Sequence, residues 1–115
     1  MIDVDVWVRG TSHAATRTIQ AVSSDAGAWT EPDVRTLLTE MLLSLEREKN
    51  PGGETPEVSL RGFSWIVSEQ DGGVLVHIEM QMGTASAGPF AIDEARLTEM
   101  IARVIGGPKE STLVH

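Results

Sequence analysis

Two segments of the chain carry apolar residues at three- and four-residue steps. One holds Val34, Leu37, Leu38, Met41, Leu42 and Leu45; the other holds Leu97, Met100, Ile101, Val104 and Ile105. Each is the stripe of an amphipathic helix and must be buried against another layer. The remaining patterned segments alternate with a period of two. Ile2, Val4, Val6 and Val8 interleave with Asp3, Asp5, Trp7 and Arg9, and Val74, Val76, Ile78, Met80 and Met82 interleave with Leu75, His77, Glu79 and Gln81. These are half-buried strands. Two one-sided helices cover only one face of a sheet, so the other face stays open.

Punctuation along the chain sets the order of the elements. Residues 15–22 form a second, weaker strand, with Arg17, Ile19 and Ala21 on one face and a short loop containing His13 before it. Thr30 opens the first helix, with Asp33 at the reciprocal capping position, Pro32 in the first turn and Trp29 placed to staple onto Val34. Asn50-Pro51-Gly52-Gly53 ends it. Residues 58–68 are a third strand in which Gly62 marks a bulge between Val58, Leu60 and the opposite parity of Phe63, Trp65 and Val67. Asp71-Gly72-Gly73 is a hairpin turn. Residues 83–89 are rich in small side chains and read as a loop. Asp93 caps the last helix, Gly106 stops it, and residues 108–115 form a loose tail.

The expected fold is therefore α+β: a two-layer sandwich of order ββαββα, with a four-stranded antiparallel sheet and two helices on one face. Residues 1–107 make a single domain. At an offset of 59 residues the halves 1–50 and 57–107 align, Val4, Val6 and Val8 falling on Phe63, Trp65 and Val67, and Leu38-Thr39-Glu40-Met41 on Leu97-Thr98-Glu99-Met100. An internal ββα duplication predicts strand order 2-1-3-4 about a pseudo-two-fold axis.

Composition excludes several function classes. Seventeen Asp and Glu against nine Lys and Arg give a net charge of -8, unsuited to nucleic acid, which needs clustered cations. No cysteine is present, which removes disulfides, thiol nucleophiles and thiolate zinc sites. Residues 1–9 alternate in a strand pattern rather than forming a secretory signal, and no apolar run reaches the length of a spanning helix, so a soluble cytoplasmic protein is expected.

Chemistry-bearing motifs are sparse. His13, His77 and His115 are too scattered for a zinc site, and there is no Gly-x-Ser-x-Gly or calcium loop. No metal and no cofactor is implied. The open face is more informative. It should carry Trp7, Ile66, Leu75 and His77 among Asp5, Thr18, Gln20 and Ser64. Large apolar groups there suggest an interface. The expected function is a non-enzymatic protein-interaction module: a small acidic homodimer that uses Trp7, Ile66, Leu75 and His77 and takes a basic protein partner. The alternative is a small-ligand-binding protein or enzyme whose pocket is lined by Asp5, His77, Glu79 and Ser86, beside the 83–89 loop.

Overall fold

In a computed structural model, the described residues are 2–11, 14–20, 22–23, 25–49, 63–70, 72–81 and 83–110, with side chains described through residue 105. Strands β1 (Ile2–Val8) and β2 (Ala15–Ile19) lead through a 3-10 turn (Ala26–Ala28) to helix α1 (Glu31–Lys49). Strands β3 (Ser64–Gln70), β4 (Gly73–Met80) and β5 (Gly83–Phe90) follow, then helix α2 (Glu94–Glu110). The fold is α+β, an antiparallel five-stranded sheet of order β2-β1-β5-β4-β3 with two helices.

The expected four strands become five, because the segment read as a loop over 83–89 is a central strand. β5 lies between β1 and β4, and β3 stands at an edge. The expected order 2-1-3-4, with the first and third strands adjacent, does not form. The second half is βββα rather than ββα, so the sheet lacks the two-fold arrangement that the duplication predicts. The reading of Val58, Leu60 and Gly62, and the placement of Ala21 and Met82 on their strands, lie outside the described residues.

The physical reason for β5 is steric. Ala85 and Ala87 are buried on the helix side, and Thr84 and Ser86 alternate with them on the other. Helix α1 packs over β1 and β5, and small side chains beneath it let helix and sheet approach closely. A Cβ at Gly83 would collide with the Trp7 carbonyl of the neighbouring strand. Gly88 has φ +122° and sits where the β4–β5 register shifts between Val74 and Val76; a Cβ there would lie 2.7 Å from the Val74 carbonyl oxygen. Pro89 is tolerated at that irregularity because ladder bonds are already interrupted there.

The helices start as their caps dictate. Asp33 Oδ2 accepts from the Thr30 N–H at 2.9 Å and from its hydroxyl at 3.1 Å. Asp93 Oδ2 accepts from the Arg96 N–H at 3.0 Å. Helix α2 runs on to Glu110, through the expected stop at Gly106; glycine raises a helix's cost by about 1 kcal/mol per residue without forbidding continuation. The core gathers the buried stripes of both helices with Ile2, Val4, Val6, Val76, Ile78, Ala85 and Ala87. Trp29 is fully buried, its indole N–H donating to the Ser23 carbonyl at 2.7 Å and its ring meeting Phe90 edge-on at 4.9 Å.

Candidate functional site on the open sheet face

Alternation decides what each face shows. On β1, Ile2, Val4 and Val6 are buried beneath the helices, while Asp3 and Asp5 are exposed and Trp7 is half-buried on the reverse. On β2, Arg17 reaches Glu48 of α1 at 3.1 Å, which puts Thr16 and Thr18 on the open side. Registers across all five strands then align one row. Thr16 opposes Asp5, Asp5 opposes Ser86, Ser86 opposes His77, and His77 opposes Ile66. The next row holds Trp7, Thr84, Glu79 and Ser64, and Leu75 opposes Ser68 on the other side.

Asp5, Trp7, Thr18, Ser64, Ile66, Leu75, His77, Glu79 and Ser86 thus share this face. Ile66 is 60% exposed, the single exposed large hydrophobic residue among the described residues. Leu75 and Trp7 are half-buried. Trp7 is held in place by a hydrogen bond from its Nε1 to the Thr11 carbonyl at 3.2 Å, with the Arg9 guanidinium 5.8 Å from the ring centroid. Ser86 sits on a strand instead of the expected loop, which is why it reaches His77: Nδ1 and Oγ are 2.7 Å apart, with the donor set by the imidazole tautomer.

The acidic side of the face is ordered by hydroxyls. The Thr16 hydroxyl donates to Asp5 Oδ1 at 2.8 Å, and the Thr18 hydroxyl to Asp3 Oδ1 at 3.2 Å. These cross-strand pairs fix both carboxylates while leaving them exposed. Glu79 lies 3.9 Å from Arg9, itself bonded to the Gln81 carbonyl at 2.9 Å. Among the described residues of this face, Asp3, Asp5 and Glu79 therefore outnumber the single cation Arg9.

Ser86 and His77 have the elements of a nucleophile and a base, but not their surroundings. The neighbour of His77 beyond Ser86 is Ile66, so no carboxylate orients the ring from that side. Ser86 lies on a central strand, paired with Asp5 on one side and His77 on the other, so its own backbone belongs to the sheet rather than to a turn that would gather amides around an oxyanion. A groove of about 370 Å³ is lined by Glu69, Gln70, Gly72, Gly73, Val74 and Ile92, away from both residues. The described residues hold no cluster of three or more His, Asp or Glu able to bind a metal, and no helix among them is long and apolar enough to cross a membrane.

Two polar devices were not visible in the sequence. Arg96 donates to the carbonyls of Gly27 and Trp29, at 2.9 and 3.1 Å. Arg103 bridges Glu31 of α1 and Glu99 of its own helix, at 3.2 and 2.7 Å, and its hydrogen bond to Glu31 raises the guanidinium pKa further above its ordinary value. Both tie α2 to the start of α1. Only the Arg103–Glu99 spacing of four residues is a sequence signal. Comparison of the chain with protein families, curated proteins and solved structures finds no match.

Proposed function

We propose that the chain is a non-enzymatic interaction module, a small acidic homodimer that docks a basic protein segment on the open face of its sheet. The observation that carries this reading is the row Thr16–Asp5–Ser86–His77–Ile66, which spans the sheet from the fixed Asp5 carboxylate to an exposed aliphatic group. Such a surface suits an extended or helical partner with cations at one end and apolar groups at the other. Trp7 and Leu75 widen the apolar area. A cytoplasmic setting is part of this reading.

The same charges argue about where the second copy goes. Stacking two open faces with β1 over β1 would set Asp3 and Asp5 of one subunit near the same groups of the other, and like charges in a desolvated contact are costly. The basic partner is therefore the better occupant of this face, and self-association belongs to another surface. The His77–Ser86 contact favours a second reading, a small-ligand site using Asp5, His77, Glu79 and Ser86.

A titration followed by backbone amide NMR tests the choice, with a soluble peptide carrying Lys residues at one end and Leu residues at the other as probe. Docking predicts shifts confined to open-face residues of the sheet, including Asp5, Ser86, His77 and Ile66, weakened at least several-fold in Asp3→Asn/Asp5→Asn. Shifts on the helices alone, or none, overturn the docking reading. A small anion or sugar that moves only His77 and Ser86 would favour the ligand site instead.

A further inference from the structure

The two edges of the sheet differ. Edge strand β2 is five residues long and carries Arg17, engaged by Glu48. Short length and an edge charge are standard protections against unwanted pairing. Edge strand β3 has seven residues, Ser-Trp-Ile-Val-Ser-Glu-Gln, with no Lys, Arg or Pro and one carboxylate near its end. Trp65 and Val67 pack against the core yet stay half-buried, and Ile66 between them is the exposed apolar residue described above.

The hairpin fixes which backbone groups point outward. Gln70 pairs with Gly73 across a two-residue turn, and the pair flanking such a turn is hydrogen-bonded. Alternation then directs the N–H and C=O of Ser64, Ile66 and Ser68 at β4, and those of Trp65, Val67 and Glu69 away from the sheet.

We propose that this edge pairs with a second copy of the chain, β3 antiparallel to β3 about a two-fold axis at Ile66, giving one continuous ten-stranded sheet. In that register Ile66 faces Ile66 of the partner subunit. Trp65 faces the partner's Val67, and Val67 faces the partner's Trp65. All outward-pointing groups meet outward-pointing groups, so the ladder closes. Aromatic residues opposite β-branched ones are favourable cross-strand pairs. Glu69 falls opposite the partner's Phe63, so no two carboxylates are set face to face. A slip of one residue would oppose outward groups with inward ones and form no ladder. Placing the axis at Val67 instead would pair Val67 with the partner's Val67 but set Ile66 against the partner's Ser68 and Trp65 against the partner's Glu69, giving up the aromatic–β-branched pairs. The contact is isologous, as a closed dimer requires. It leaves the acidic part of the open face uncovered, so it supplies the homodimer of the reading above without depending on the basic partner.

Ile66 sits in a non-hydrogen-bonded pair in this arrangement, with Cα atoms about 4.5 Å apart, inside the range for a disulfide. The chain has no cysteine of its own. Mild oxidation of full-length Ile66→Cys should therefore give a linked dimer as the main band on a non-reducing gel, while Leu75→Cys, on the same face one strand inward, should stay unlinked. Glu69→Pro deletes an outward N–H and leaves the β3–β4 bonds intact; light scattering should show its mass halved relative to wild type, with an unchanged circular dichroism spectrum. A wild-type chain that is monomeric at millimolar concentration overturns the proposal, as does efficient cross-linking of Leu75→Cys without Ile66→Cys. A dimer that ignores the Lys-Leu peptide refutes the docking reading alone, and a monomer that still binds the peptide refutes the homodimer while leaving the docking reading standing.

Discussion

His77 and Ser86 face each other directly across β4 and β5, with Nδ1 and Oγ 2.7 Å apart at the centre of the open face. The contact follows from register, since opposed residues on neighbouring strands have their Cβ atoms about 5 Å apart. Its neighbours are Asp5 on one side and Ile66 on the other. Both side chains are half-buried, so water competes for the bond. Ser86→Ala should lower unfolding free energy by about 0.5–1.5 kcal/mol, the usual net worth of such a bond. Urea unfolding at neutral pH measures it. A loss above about 3 kcal/mol would mean that the pair supports more of the sheet than its position implies.

The small residues of β5 make a sharper prediction. Ala85 is fully buried and Ala87 nearly so, on the face that α1 covers. Ala85→Leu adds three carbons where helix and strand are already in contact, and overpacking of this kind costs about 1–3 kcal/mol. Thr84→Val, on the opposite face of the same strand, should fall within about 0.5 kcal/mol of wild type. Denaturant midpoints of the two variants compare the faces of one strand directly. Equal effects would contradict the placement of β5 beneath α1.

That strand also shows where sequence reasoning reaches its limit. The alternation in Thr84-Ala85-Ser86-Ala87 is a period of two, yet none of its inward residues is large, and it is bracketed by Gly83 and Gly88-Pro89. Hydrophobic pattern detects strands that contribute volume to a core, whereas β5 contributes space for a helix. Strands β1 and β4 were legible because Val4, Val6, Val76 and Ile78 are bulky. The caps at Thr30 and Asp93 were legible because capping is local. Face assignment followed from parity alone, so Asp5, Trp7, Leu75, His77 and Glu79 could be grouped from sequence, and so could Ile66. The row joining Asp5 to His77 through Ser86 needed strand order, which depends on β5 and has no local signature.

Trp29 anchors the connection into α1 by two separable interactions. Its indole N–H donates to the Ser23 carbonyl at 2.7 Å, and its ring lies edge-on to Phe90. Trp29→Phe keeps an aromatic ring but leaves the Ser23 carbonyl without this donor, so a loss of about 1–3 kcal/mol is expected. Trp29→Ala also removes the ring from the core and should cost about 3–5 kcal/mol. Fluorescence provides a second check. Trp7 and Trp65 are half-buried, so replacing the buried Trp29 should shift the remaining emission to longer wavelength while the circular dichroism spectrum is retained.

Arg96 supplies the last prediction. Its guanidinium donates through Nη1 to the Gly27 carbonyl and through Nη2 to the Trp29 carbonyl, at 2.9 and 3.1 Å. One side chain of α2 thereby fixes two backbone acceptors in the turn that precedes α1. Arg96→Ala removes both bonds, and a loss of about 1–3 kcal/mol is expected for donors that carry charge. For a domain of about 100 residues each kcal/mol lowers Tm by roughly 4–8 °C, so the shift is readily measured by calorimetry. Lysine is the informative control. An ammonium lacks the planar fork that spans two carbonyls, so Arg96→Lys should recover less than half of the lost stability. Full recovery by lysine would show that the positive charge near the start of α1 matters more than the paired hydrogen bonds.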